Sequence, residues 1–278
     1  MKLRSGYDVL KETNILGISI NNFSKQEFLE TLVSGVVFTP NVDHLIKLER
    51  DLDFFRVYQD ADYRVCDSKI LFYVSRFLGM PIKEKISGSE LLPDFCHHHR
   101  HNESVKVFLL GAREGVAYKA QQRINAKVGR DIVVGAYSPS FGFEQDELEC
   151  AEIVEMINRS GATVLAVGVG APKQEKWIAK YKHQLPNVRI FLAIGAAIDF
   201  EAGQKRRSPR WISEAGLEWL HRLISEPRRL WRRYLVDAFP FFWLVLKQKL
   251  NLYHSPHLAV LSQEAYSPQE KVVQKVGR

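Results

Sequence analysis

Three segments, "VKVFLLG" (105–111), "ATVLAVGVG" (162–170) and "VRIFLAIGAAIDF" (188–200), are almost unbroken runs of apolar side chains, and amphipathic segments with helical spacing separate them. A strand with one wet face alternates apolar and polar residues, whereas a continuously apolar strand is covered on both faces. Such strands alternating with helices wind into a parallel sheet. The other segments follow the same rhythm. "NILGISI" (14–20), "GVVFTPN" (35–41), "YRVCDSK" (63–69) and "DIVVGAYS" (131–138) read as further strands. "SKQEFLETL" begins a helix with Ser24 as N-cap and Glu27 three residues on, a capping box. Apolar spacing at Leu45, Leu48, Leu52 and Phe55 predicts a helix over 42–59, and "GVAYKAQQRINAKV", "ELECAEIVEMINRS" and "KQEKWIAKYKHQL" are helical too. The expected fold class is α/β: a largely parallel, Rossmann-like sheet with helices on both faces and a helical C-terminal appendage.

With 278 residues, 46% hydrophobic and 26% charged, the chain can bury a large core and falls outside the disordered and collagen-like classes. Cys66, Cys96 and Cys150 are odd in number, far apart and form no CxxC pair, which suits a reducing compartment better than a disulfide framework or a zinc ribbon. The N-terminus carries charges but no apolar stretch ending in a small-residue cleavage site, so no signal peptide is expected. The cluster "CHHHRH" (96–101) offers His97 and His101 to one helix face, read here as an exposed helix end with no metal.

Ligands of open parallel sheets bind beyond the C-terminal strand ends. "VGVGAPKQE" (167–175) is such an end: strand, glycine turn, then a helix with Pro172 near its first position. Gly168 and Gly170 would let backbone approach a phosphate or sugar, Lys173 and Gln174 would offer donors, and the first helical amides would face an anion. The alternative is a tight turn whose glycines serve geometry alone. "LLGAREGV" (109–116) has half of a dinucleotide fingerprint, without G-x-G-x-x-G or a closing acid. Thr39, Asn41 and Asp67 follow two other strands, and Asp199 and Glu201 follow the last. A carboxylate at a strand end serves as general base where a substrate hydroxyl reaches it, and otherwise caps a turn or helix.

The net charge of +7 is concentrated between Gln204 and Tyr234, where nine basic residues stand against three acids. Arg228 with Arg232, and Arg229 with Arg233, are like charges at i,i+4, each destabilising an isolated helix by about 0.2–0.5 kcal/mol. Either an anionic partner offsets this or the segment is a solvated face. The following "YLVDAFPFFWLVLKQKLNLY" (234–253) is interrupted by Asp237 and Pro240 and is short of the roughly 20 apolar residues of a spanning helix. Its aromatics beside cations fit a helix lying on a membrane, the alternatives being a core helix or a dimer contact. Nucleic-acid binding is a competing reading of the basic segment, weakened by the interleaved apolar aromatic run. The expected organisation is a catalytic unit over 1–203, a membrane-associating appendage over 204–253 and a mobile tail over 254–278.

Taken in order, "TPNVDHL", "DADYRVCDSKILFYVSRFLG", "KEKISGSELL", "VFLLGAREGV", "GVGAPKQEKWI" and "IGAAIDFEAGQKRRSPRWISEAGLEWLHRLISEPRRLWRRYL" resemble the blocks of the WecG/TagA/CpsF family, glycosyltransferase family 26, over roughly residues 15 to 245. The resemblance implies an inverting, metal-independent transferase without cofactor, moving a sugar from a UDP-sugar to a polyprenyl-diphosphate-linked sugar. It implies a peripheral protein on the cytoplasmic face of the bacterial inner membrane, in cell-surface polysaccharide biosynthesis, with homo-oligomerisation open. By the same resemblance Asp67 is the catalytic base, and Thr39, Asn41 and Gln174 belong to the substrate pocket. Arg222, Arg228 and Arg232 are the arginines that close over the diphosphate. Ser68 and Lys85 depart from the family's usual glycine and arginine; a lysine at 85 gives a point charge in place of a bidentate fork. A further expectation is that the appendage completes the site only when docked on the membrane.

Overall fold

The computed structural model describes residues 12–205, 212, 220, 223–224, 227–231 and 239–261. Its centre is a six-stranded parallel sheet of β3 (Gly35–Phe38), β4 (Tyr63–Arg64), β5 (Val107–Gly111), β6 (Val133–Tyr137), β7 (Val164–Gly168) and β8 (Ile190–Ala193). The strand order is β4-β3-β8-β7-β5-β6. The apolar runs alternate between two cores. Phe108, Leu110, Leu165, Val167, Phe191 and Ala193 point into one; Val107, Leu109, Val164, Ala166, Ile190 and Leu192 point into the other. Both faces of every central strand are therefore dry, as continuous hydrophobicity requires.

Over the first face lie α2 (Val42–Leu48), α3 (Leu52–Gln59), α4 (Lys69–Phe77), α7 (Glu147–Ser160) and α8 (Lys173–Tyr181). Over the second lie α1 (Lys25–Thr31), α5 (Gly88–His98), α6 (Val116–Val128) and the short α9 (Ala197–Glu201). Helix α1 starts as the capping box requires: Ser24 Oγ accepts from Glu27 N and Glu27 returns a carboxylate to Ser24 N. Phe23 and Phe28, at ring distance 5.8 Å, close a hydrophobic staple beside it.

Three local expectations are corrected. "NILGISI" is a hairpin, not one strand: β1 (Glu12–Ile15) and β2 (Ile18–Asn21) pair antiparallel around Leu16 and Gly17, both with positive φ, 49° and 74°. A two-residue turn needs that conformation, and burial of the Leu16 side chain offsets its cost. The helix expected over 42–59 is two, because the Asp51 side chain accepts from Phe54 N (2.9 Å) and starts α3 afresh. The strand expected over 188–200 ends at Ala193, so Asp199 and Glu201 stand on α9 and not at a strand end. Buried Glu201 accepts from Lys127 Nζ at 2.7 Å, and Asp199 lies 3.7 Å from Lys205.

Beyond the sheet, α10 (Pro227–Trp231) and α11 (Phe239–Lys249) lie in the segment expected as appendage. Phe241 and Val245 of α11 join the first core. Gln248 ties α11 to the hairpin, its Oε1 accepting from Leu16 N and its Nε2 donating to Asn14 O, both at 2.9 Å. Within the expected tail, His257 packs on Phe55 at 5.3 Å between rings. Among the described residues no helix is long and apolar enough to cross a membrane.

Candidate functional site

The ends of β3 and β4 converge through backbone bonds. Val65 N donates to Phe38 O and Asp67 N to Pro40 O, each at 3.0 Å, so the two strands leave the sheet side by side. Asn41 then caps α2, its Oδ1 accepting from His44 N (3.2 Å), which turns its Nδ2 toward Asp67 Oδ2 at 3.5 Å. The other carboxylate oxygen of Asp67 accepts from Gly88 N at 3.0 Å. Gly88 is the first residue of α5, and the N-cap Ser87 shares its hydroxyl with Ser89 Oγ and makes no side-chain cap bond to a helix amide. The positive end of α5 is thus aimed at Asp67, where it favours negative charge. Thr39 completes this wall: its Oγ1 donates to Ala193 O (3.3 Å), and a Cβ on Gly88 would stand 2.9 Å from that hydroxyl. Lys85 comes alongside because Ile86 N donates to Cys66 O (2.7 Å).

Next in the strand order come the turns after β8 and β7. The amide of Gln174 makes three hydrogen bonds within the chain. Its Oε1 accepts from Gly170 N (3.1 Å) and Gly195 N (3.2 Å), and its Nε2 donates to Glu175 Oε1 (2.8 Å). Gln174, with 2% of its surface exposed, therefore clamps the two glycine turns together. Glu175 fixes which way the amide points, since an acceptor there forces the NH₂ group to its side. Its carboxyl has no exposed surface, and burial pushes its pKa up to about 7, against the opposing effects of Gln174 and Lys47. Lys47 bridges the layers: its Nζ donates to Ala171 O at 3.0 Å and pairs with Asp43 at 2.9 Å. Beside it, Tyr58 Oη and His44 Nδ1 share a buried hydrogen bond of 2.6 Å.

The structure thus gathers Thr39, Asn41, Asp67 and Lys85 about the ends of β3 and β4, and Gly170 and Gln174 at the turns after β7 and β8, the two groups linked through the Thr39 hydroxyl on Ala193 O and the Gly195 amide on Gln174. Gly168 is set deeper: a Cβ there would meet Gly195 O at 2.6 Å, so its missing side chain admits another backbone. Lys173 forms an ion pair with Glu144 and lies 5.0 Å from the Phe141 ring centroid. Arg228 is on α10 and exposed; Arg222 and Arg232 lie outside the described residues. Among the described residues no three His, Cys, Asp or Glu side chains gather as metal ligands. In "CHHHRH" the helix ends at His98, and the side chains of His97 and His101 both engage Arg100. All three cysteines are free and buried, and burial pushes the Cys66 and Cys96 thiols up to about 12.

Gly88, Gly195, Lys47 and Glu175 escape sequence reasoning. One signal was present for the clamp: Gln174 shares helical spacing with Trp177, Ile178 and Tyr181, the buried face of α8, which places an amide where only a structural acceptor or ligand could satisfy it.

The family model described as glycosyl transferase WecG/TagA/CpsF matches residues 13–255. An N-acetylglucosaminyldiphosphoundecaprenol N-acetyl-beta-D-mannosaminyltransferase of Bacillus subtilis (strain 168) is 26% identical over 234 residues, 84% of this chain and 87% of the relative. A protein of the same name from Staphylococcus aureus (strain MRSA252) is 24% identical over 253 residues, 86% of this chain and 95% of the relative.

Proposed function

Because the chain belongs to the glycosyl transferase WecG/TagA/CpsF family and is a glycosyltransferase, we propose that it moves a sugar from a UDP-sugar to a polyprenyl-diphosphate-linked sugar, with inversion and without a metal. The relatives are named for N-acetylmannosaminyl transfer to N-acetylglucosaminyldiphosphoundecaprenol, so a sugar of the N-acetylmannosamine type leads the donor panel, ahead of its uronic acid and glucose. The observation that carries the reading is Asp67, a carboxylate at a strand end, held by Gly88 N–H and by Asn41.

In this reading Asp67 takes the proton from the acceptor hydroxyl as that oxygen attacks the anomeric carbon, and UDP leaves from the opposite side. Negative charge grows on the diphosphate. Lys85 and Lys173, the Gly170 turn at the start of α8, and Arg222, Arg228 and Arg232 supply the positive charge and donors that stabilise it. Thr39 and Asn41 order the acceptor side. Residues 204–253, as the appendage, bring the arginines over the site and rest on the cytoplasmic leaflet. Deleting them is a poor test, because Phe241 and Val245 belong to the core; single arginine substitutions are the better one.

The test is UDP release from a panel of UDP-sugars in EDTA, with the lipid acceptor supplied or withheld, and the anomeric configuration of the product read by NMR. Acceptor-dependent turnover with inversion supports the reading. Turnover only with added divalent metal, or a retained configuration, contradicts it.

A further inference from the structure

Helix α4 begins two residues after Asp67, with Ser68 Oγ accepting from Ile70 N at 3.1 Å as its cap. It buries Leu71, Val74 and Ser75. Its outward stripe is Tyr73, Arg76 and Phe77, continued by Met80, with Tyr73 and Phe77 50% and 52% exposed. Large aromatic rings half in water on one helix face call for a partner. Helix α11 repeats the pattern: it buries Phe241 and Val245 and exposes Phe239, Phe242, Trp243, Leu246 and Leu250. The two stripes are neighbours, because Lys249 Nζ of α11 lies 5.6 Å from the Phe77 ring centroid of α4.

Charge tells what this surface fits. Residues 68–82 contain Lys69 and Arg76 and no acid; residues 238–262 contain Lys247 and Lys249 and no acid. Several cations sit directly by the rings: Lys69 and Arg76 lie 5.0 and 4.4 Å from the Phe72 centroid, and Lys247 lies 5.7 Å from that of Trp243. Half-exposed aromatics interspersed with lysine and arginine along these two segments match the interfacial zone of an anionic bilayer, where rings sit at headgroup level and cations meet lipid phosphate.

We propose that α4 is a membrane-contact element in its own right, forming with α11 one aromatic and cationic face that lies on anionic lipid. The inference rests on the lipid-linked acceptor proposed above and adds a positional consequence. Asp67 sits at the N-terminal end of a helix of nine residues, about 14 Å long at 1.5 Å per residue. The base is therefore held within about one short helix of the lipid surface, where a diphosphate sugar anchored by its polyprenyl chain stands.

The experiment is sedimentation of the full chain with phosphatidylglycerol or phosphatidylcholine vesicles, comparing wild type with the double variant Tyr73→Ser/Phe77→Ser. Tyr118→Ser is the control, an equally exposed ring on α6 across the sheet. Turnover with a short-tailed, water-soluble acceptor is measured in parallel and reports both folding and the reaction. Expected are preferential binding to phosphatidylglycerol that weakens with salt, a loss of about tenfold or more in the double variant, an unchanged control and unchanged soluble turnover. Undiminished vesicle binding by the double variant, or no binding by wild type, overturns the proposal while soluble turnover leaves the transferase reading standing. A double variant that changes self-association but not vesicle affinity also overturns it, assigning the face to a second copy. Absence of soluble turnover in wild type instead removes the transferase reading on which the inference rests.

Discussion

Glu175→Gln removes a titratable carboxyl from a position that water does not reach. In the folded chain burial holds the group neutral to about pH 7, with Asp43 reinforcing the effect and Lys47 and Gln174 opposing it; Tyr58 lies close enough to feel its charge. In the unfolded chain it ionises at its ordinary value of 4.5. The sign follows from linkage. Below pH 4.5 both states hold the proton; between 4.5 and 7 only the folded state does, so folding loses stability as pH rises, and above 7 the loss is complete. A displacement from 4.5 to about 7, at roughly 1.4 kcal/mol per unit, makes that loss roughly 3 kcal/mol. Glutamine keeps the acceptor that orients Gln174 and cannot ionise. Denaturant unfolding at several pH values should show the variant gaining roughly 3 kcal/mol over wild type between pH 4.5 and 8, whatever their offset at low pH. A stability difference independent of pH would refute the reasoning.

The glycine turns after β7 and β8 give two more expectations. Gln174→Ala deprives the partly buried Gly170 N–H and Gly195 N–H of their acceptor, at about 0.5–1.5 kcal/mol for each hydrogen bond lost; unfolding should show the loss of stability, and turnover should fall with it because the two turns separate. Gly168→Ala drives a methyl to within 2.6 Å of Gly195 O, a backbone atom that cannot rotate away, and should cost about 1–3 kcal/mol of stability, read as a lowered denaturation midpoint.

The layered sheet was legible because the apolar runs at 105–111 and 162–170 carry the rule that both strand faces are buried, and nothing local contradicts it. The capping box at Ser24 was equally plain, since its two partners are only three residues apart in sequence. Leu16 hid the hairpin: an apolar residue in a left-handed turn looks like strand interior, and only its burial against the rest of the chain pays for the conformation. Asp51 hid the helix break because the apolar spacing runs on through it. At the site, Asp67, Thr39 and Asn41 were legible as polar residues at strand ends, and the family resemblance gave them roles. Gly88 was not, since a backbone amide has no signature until the start of α5 is placed against β4. Gln174 was legible as a residue of interest, but its internal commitment to Gly170, Gly195 and Glu175 depends on the parallel pairing of β7 with β8, which sequence does not specify.

The measurement that tests the central assignment most directly is acceptor-dependent UDP release by wild type and Asp67→Asn at matched protein stability. Asparagine keeps the shape and an acceptor for Gly88 N–H but is no proton acceptor of useful strength, so kcat should fall by about 10²–10⁴-fold with donor affinity little changed. Turnover within a few-fold of wild type would mean that another group takes the proton and that the strand-end carboxylate only anchors α5.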